Sequence, residues 1–495
     1  MSLHSRKTIA GAVFLVAAVV LVYARGIGGP FLYDDKVFVV ENPSIKSVGA
    51  ALTSFGDPAA ADSGHFRREI YRPIIPVVYS LIHAVAGLRP EAYHLLNVCL
   101  HAANAVLLFA LIFLITRKQI PALIASAWWA LHPANVESVQ WISGLDDVLV
   151  ATFILSALLA HGYGKKILSY GLFTLALLTK ETALVAPLLL LAMDYWRFDL
   201  TESGAEPEQK PLFDKRRFLA CVKTTAPYFI LALGFFAIRV ALVGVRQIDT
   251  TWGETPIETT LIMLRAFARY LQIVFFPVSL RINYWSGFEQ GSWLFGGLGF
   301  ALMMLLAACA FMARRRCVAH TLGVVWFFIF LIPVSNIVPS ASIMAEHFLY
   351  LPLAGATLAL SVFLGAHSKR ARFFQGAWIA MIWLFVMLSI ARIGVWNDEE
   401  RFWKDIMAKE PDLSSYRVNL ATYYAEHGRF DEAEPLYQFA LTERPGDANA
   451  AANYAQMLFD AKRYRQSRDL FNQLCRAYPK SERYCQGEKR AAGMK

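Results

Sequence analysis

Seven places in the sequence set ionisable side chains against long apolar runs: Asp34-Asp35, Arg72, His132, Glu137, Asp146-Asp147, Lys180-Glu181 and Glu346-His347. Paired carboxylates can take a proton from an attacking hydroxyl, and arginine or lysine can hold a phosphate as it leaves. Each place alone has an ordinary explanation. Asp34-Asp35 reads as a solvated turn, His132-Pro133 as a helix end, Lys180-Glu181 as a hairpin apex and Arg72 as an interfacial cation. Together they are harder to dismiss, because charges beside membrane spans are costly and tend to mark function. The inventory suits a reaction on an anionic lipid headgroup, with an acid as base and cations on a phosphate leaving group. A transporter would carry such groups near the midplane, on broken helices in repeated halves. Here they fall at span ends, and the halves do not repeat.

The elements that must position these groups are apolar helices. Of 495 residues, 56% are hydrophobic and 17% charged, against roughly 45–50% and 25% in soluble domains. The apolar residues come in long blocks, which argues against a soluble enzyme or a disordered chain. The net charge of +10 gathers at block ends, the pattern of membrane topology rather than of a nucleic-acid-binding face. Spans are expected near 8–24, 95–116, 119–132, 148–164, 167–179, 182–195, 221–243, 292–313, 321–339, 348–366 and 376–395. Arg117-Lys118, Lys165-Lys166, Lys215-Arg216-Arg217, Arg314-Arg315-Arg316 and Lys369-Arg370 then share one face. That places the N-terminus in the cytoplasm and the C-terminus outside, with eleven spans in all. The polar stretch 28–94 carries Arg67 and Arg68 as well as the first acids, and residues 73–88 read as an interfacial helix. The block 259–277 would break the charge rule as a span. Its Arg265 and Arg269, four apart, suit an amphipathic helix at the interface.

After residue 396 the composition turns soluble. Pro411, Pro445 and Pro479 recur at a 34-residue spacing. Between the first two run Asn419-Leu420-Ala421, Tyr424, Gly428, Ala433, Tyr437 and Ala440, the pattern of a tetratricopeptide repeat. A second repeat follows through Tyr454, Ala455, Leu458, Tyr464 and Phe471. No cysteine pair forms a CxxC or a metal spacing. Cys475 and Cys485 flank the Pro479 turn, and a bridge between them would pin a terminal cap. The only Asn-x-Ser, Asn42-Pro43-Ser44, is blocked by its proline.

Longer stretches resemble a known family. Tyr33-Asp34-Asp35 with Glu41-Asn42-Pro43 is similar to the first outer loop of the transmembrane and tetratricopeptide-repeat-containing O-mannosyltransferases, within the GT-C superfamily of glycosyltransferases. Tyr71-Arg72-Pro73, Tyr93-His94-Leu95-Leu96-Asn97 with His101, and Leu131-His132-Pro133 with Glu137, Val139 and Trp141 extend the likeness. Lys180-Glu181-Thr182 and Glu346 with Leu349-Tyr350-Leu351-Pro352 complete it. The resemblance implies an all-α fold: a GT-C-type polytopic membrane domain over 1–396, then a short extracytoplasmic repeat solenoid over 397–495. It implies catalysis by Asp34, with Asp35 as its tuning neighbour, and a single displacement with inversion. Donor phosphate contacts are expected from Arg72, Lys180, Arg265, Arg269 and His347. His132, Glu137, Asp146, Glu181 and Glu346 complete the expected site. Relatives often carry arginine where this chain has Gly144-Leu145-Asp146 and His347, so charge is missing there.

The expected partners are a polyprenyl-phosphate sugar, membrane lipids and an acceptor protein held by the repeats, with no nucleic acid. The expected reaction moves the sugar to a Ser or Thr hydroxyl at the outer face of a bacterial inner membrane. Catalysis is expected to need no cofactor. A divalent metal on Asp34, Asp146 and Glu346, as in oligosaccharyltransferase relatives, is the alternative. Transfer to a lipid or envelope glycan, or a non-catalytic scaffold displaying the repeats, are the competing readings of function.

Overall fold

A computed structural model of the chain describes residues 3–58, 70–201, 214–244, 255–284, 288, 293–314, 317–337, 342–364, 369–411 and 413–494. Arg67, Arg68, Arg315 and Arg316 lie outside the described residues. The chain divides into two compact units, Met1–Asn397 and Asp398–Lys495. Both are helical, and no β-strand occurs among the described residues.

In the first unit the helices run α1 Leu3–Tyr23, α2 Val48–Leu52, α3 Ile74–Ala86, α4 Pro90–Thr116, α5 Gln119–Ala130, α6 Asn135–Gln140, α7 Leu145–Gly162, α8 Lys166–Thr179, α9 Ala186–Thr201, α10 Lys215–Val243, α11 Pro256–Phe275, α12 Trp293–Ala313, α13 Val318–Leu331, α14 Tyr350–Ser361 and α15 Lys369–Trp396. Seven stretches among the described residues are long and apolar enough to cross a bilayer: Lys7–Gly26, Pro90–Thr116, Ile142–Gly162, Lys215–Val243, Leu294–Ala313, His347–Leu364 and Arg372–Trp396. Their exposed residues are apolar, as with Phe373, Trp383 and Met387 on α15, a surface suited to lipid rather than water. This is the core of an all-α membrane domain.

The other four expected spans are shorter helices, α5, α8, α9 and α13. α5 has 12 residues and so reaches only about 18 Å, against a hydrocarbon core of about 30 Å. It buries Ala125, Trp128 and Trp129 among its neighbours, so protein surrounds it where a lone span would meet lipid. α3 matches the expected 73–88 helix and leaves Val85 exposed. α11 opens on a capping box between Thr255 and Glu258 with Pro256 in its first turn, and buries one stripe, Ile262, Ala266, Phe267, Tyr270 and Ile273. Its amphipathic character agrees with the sequence reading.

Close approach of α13 and α14 holds the end of the site. A Cβ on Gly323 would meet the Ala359 backbone nitrogen at 2.3 Å, and one on Gly355 would meet the Gly323 carbonyl at 2.7 Å. Small residues at this crossing let two backbones touch. From α14, Tyr350 hydrogen-bonds His101 (2.7 Å) and Asn104 (3.1 Å) on α4, which fixes where the preceding Glu346-His347 turn lies.

The second unit pairs α16 Glu399–Lys409, α17 Ser414–Glu426, α18 Phe430–Glu443, α19 Ala448–Asp460, α20 Tyr464–Ala477 and α21 Glu482–Ala492. Ala421, Tyr424, Ala433, Tyr437 and Ala440 are buried, as the repeat pattern requires. Cys475 and Cys485 form a disulfide with their Cα atoms 4.9 Å apart, tying α21 to α20.

Candidate active site

The first acids sit on a loop that is held from below. Tyr33 adopts φ 53°, a left-handed conformation uncommon for a bulky residue and a mark of local strain. The turn it makes separates the two carboxylates. Asp35 is 1% exposed and accepts three hydrogen bonds, from Leu32 N (2.9 Å), Ser143 N (2.8 Å) and Ser143 Oγ (2.6 Å). Asp35 therefore clamps the loop to the turn that opens α7. Asp34 is half-buried, and its carboxylate accepts no hydrogen bond among the described residues. Burial pushes Asp34 up to about 6, opposed by the charge of His347. Burial also pushes Asp35 up to about 7 against the pull of its three donors.

Gly144 allows that turn. A Cβ there would lie 2.6 Å from the Ser138 carbonyl oxygen, so any side chain would push α6 and α7 apart. Beyond it, Asp146 and Asp147 face two cations. Lys180 contacts Asp146 at 3.2 Å and Asp147 at 2.7 Å. Arg72 forks onto Glu181 through Nε (3.0 Å) and Nη2 (2.6 Å), and its Nη1 reaches Asp146. Two permanent cations are thus shared among three acids. Arg72 and Lys180 are together, as the sequence suggested, but both are already engaged by carboxylates.

Glu137 organises the opposite wall. Its carboxylate accepts from Glu346 N (3.1 Å), His347 N (3.2 Å) and His347 Nδ1 (2.8 Å). This aims the imidazole into the cluster, within electrostatic reach of Asp34, Asp146, Asp147 and Lys180. The Trp141 ring lies 5.7 Å from His347 and 6.3 Å from Tyr33, bridging loop and wall. Glu346 points elsewhere. Its Oε1 accepts from Arg281 N (2.5 Å) and Tyr284 OH (2.8 Å), with Arg392 at 3.5 Å. Burial, opposed chiefly by Arg392, pushes it up to about 7. Trp141 Nε1, Asp147 Oδ2 and Glu346 Oε2 are buried atoms without a hydrogen-bond partner, leaving capacity for a ligand.

Besides Glu346, three expected site residues do not join this cluster. His132 spends both ring nitrogens on main chain, Nδ1 accepting from Ala134 N (3.1 Å) and Nε2 contacting Val274 O (3.2 Å). Arg265 donates to Phe288 O (2.6 Å). Arg269 donates to Gln272 Oε1 (2.6 Å) and to the Ser279 carbonyl (3.0 Å). Their spacing on one helical face gave a direction but not a neighbour, and that neighbour is the chain segment following α11. Conversely, Ser143, Tyr284 and Arg392 were missed. Arg392 had a readable signal, a lone cation inside an apolar stretch; Ser143 and Tyr284 had none. Among the described residues no three His, Cys, Asp or Glu side chains form a group that could hold a metal ion.

Comparison with known proteins shows what the chain is similar to. The tetratricopeptide repeat profile matches residues 424–486. A protein O-mannosyl-transferase of Caenorhabditis elegans is 24% identical over 464 residues, covering 87% of this chain and 62% of that protein. One of Drosophila melanogaster is 23% identical over 558 residues, covering 91% and 63%. One of Homo sapiens is 24% identical over 503 residues, covering 87% and 65%. The chain thus spans a little under two thirds of the length of these relatives. No solved structure matches it. With matches covering 87–91% of the chain, through both the membrane unit and the repeats, the chain is similar over most of its length to these protein O-mannosyl-transferases.

Proposed function

We propose that the protein transfers a sugar from an outward-facing polyprenyl phosphate to a Ser or Thr hydroxyl of a protein, with Asp34 as base. The observation that carries this reading is the Asp34 carboxylate: half-buried, without a hydrogen-bond donor among the described residues, and within electrostatic reach of His347. In the reaction the acceptor oxygen attacks the sugar's anomeric carbon and its proton passes to Asp34. The bond from that carbon to the phosphate oxygen breaks, and the polyprenyl phosphate leaves with the electron pair. One displacement inverts the anomeric centre.

Arg72 and Lys180 contribute to the phosphate only if Glu181, Asp146 or Asp147 yields part of its hold, so donor binding is coupled to rearranging that network. His347, aimed by Glu137, adds a further donor towards the same place. An apolar cavity of about 720 Å³ runs between α11, α12 and α13, lined by residues such as Leu264, Phe267, Ala307 and Phe328. Tyr270 lines it too, and its hydroxyl accepts from Ala345 N (3.3 Å), next to Glu346. This is room for an isoprenoid chain beside the Glu346-His347 turn. The reading takes the cluster to face away from the cytoplasm, as the basic span ends require.

The test is Asp34→Asn in purified protein with polyprenyl-phosphate mannose and a Ser/Thr peptide. Transfer should vanish while the protein still inserts and binds donor. Retained turnover would remove Asp34 as the base, and indifference to every substitution in the cluster would favour a scaffold.

A further inference from the structure

The repeat unit carries a charge register that matches its 34-residue period. Glu400 on α16 pairs with Arg429 at the start of α18 (2.7 Å), and Glu434 on α18 pairs with Arg463 at the start of α20 (2.6 Å). Both acids and both arginines are displaced by 34 residues. Each of these helices therefore offers an acid to the arginine that opens the next one. Pairs this exposed add little stability, but they select which surfaces may stack.

On α20 the register inverts. The acids near the start of α18 are Asp431, Glu432 and Glu434, and the positions 34 residues on are Arg465, Gln466 and Arg468. Arg465, Arg468 and the neighbouring Lys462 are exposed, Arg468 with Asp469 beside it at 3.3 Å, so cations outnumber acids there three to one. They border an open groove of about 890 Å³, bounded by the first turns of α20 and by Ala491, Ala492 and Met494 at the end of α21. The repeat register puts the start of any further stacked helix at this groove. A helix opening with arginine, as α18 and α20 do, would meet Arg465 and Arg468 and be repelled.

We propose that this groove docks an acidic helical segment of a partner protein, a joint of opposite polarity to those inside the repeats. The inverted charges disfavour a helix that opens with arginine and admit one that brings carboxylates instead. The inference is independent of the transfer reaction, since none of these residues belongs to the membrane unit.

The test uses the full chain in a neutral detergent, a fluorescent helical peptide of alanine and glutamate, and a lysine counterpart, read by anisotropy. The glutamate peptide should bind, more weakly as salt rises, and the lysine peptide should not. Arg465→Asp with Arg468→Glu, which copies the residues of α18, should weaken the glutamate peptide by about tenfold or more and admit the lysine peptide. Arg465→Gln with Lys462→Gln should give an intermediate loss. Resistance of Cys475 and Cys485 to alkylation checks that α21 remains bridged to α20. The proposal is overturned by equal binding to wild type and reversal variant, by no glutamate-peptide binding at low salt, or by capture of anionic vesicles in preference to the peptide.

Discussion

Asp34 and Asp35 are neighbours in sequence, but removing them should have opposite consequences. In Asp35→Ala, Leu32 N and Ser143 N lose their acceptor, and Ser143 Oγ loses its own as well. Two backbone donors left buried cost about 1–3 kcal/mol each, so the loop should lose about 4 kcal/mol. Ser143→Ala removes one of the three bonds and leaves no buried donor, so it should cost only about 1 kcal/mol. Asp34→Asn breaks no hydrogen bond among the described residues and removes a charge that burial disfavours, so it should not lower stability while stopping transfer. The assay is hydrogen exchange over residues 31–40 beside thermal unfolding and transfer kinetics of the three variants. Asp35→Ala should open that segment to exchange and lose activity through misplacement of Asp34. If Asp35→Ala keeps full protection and turnover, or if Asp34→Asn is the variant that loosens the loop, the division into a base and a clamp is wrong.

Acidity gives a second check with a definite sign. A base must be deprotonated, so kcat/KM should fall as pH drops through about 6, the value to which burial raises Asp34, with Asp35 titrating alongside it. Stability should run the other way. Both acids are raised above the ordinary value of 3.8, so their contribution is fully present below about pH 4 and declines as pH rises through 6 to 7. Thermal unfolding across that range that shows no such decline would contradict the burial of the pair. Arg72→Lys keeps a charge but cannot fork onto Glu181 and reach Asp146 together, and losing charged hydrogen bonds of about 1.5–3 kcal/mol each should lower donor kcat/KM by about tenfold or more. Near-wild-type donor kinetics would remove Arg72 from the site. Cys475→Ser should lower the stability of the repeat unit by about 2–3 kcal/mol, the entropy of closing a ten-residue loop, and a melting curve insensitive to both this change and reductant would refute it.

The helices were legible wherever the signal is local. Long apolar blocks make spans because a backbone in lipid must satisfy its own hydrogen bonds, and α4, α7, α10, α12 and α15 lie where those blocks do. The proline spacing of 34 predicted the repeats, since each repeat must bury the same small residues against its neighbour. Ten residues around a turn made a Cys475–Cys485 bridge feasible, and the structure forms it. The count of full spans was less secure, because the shortness of α5 and α13 is compensated by protein packed around them.

The sequence alone determined which residues could not be tolerated in lipid, and so gathered Asp34, Arg72, Glu137, Asp146, Lys180 and His347 at the ends of apolar runs. It could not determine who meets whom. Arg72 forks onto a glutamate 109 residues away, Asp35 is clamped by Ser143 108 residues away, and His347 is aimed by a glutamate 210 residues away. Those pairings depend on how the helices cross, which close contacts such as Gly323 against Gly355 set. For the same reason His132, Arg265 and Arg269 turned chiefly to main-chain groups instead of the acids. Desolvation is a cost each residue carries by itself, whereas a salt bridge exists only once packing has brought its two ends together.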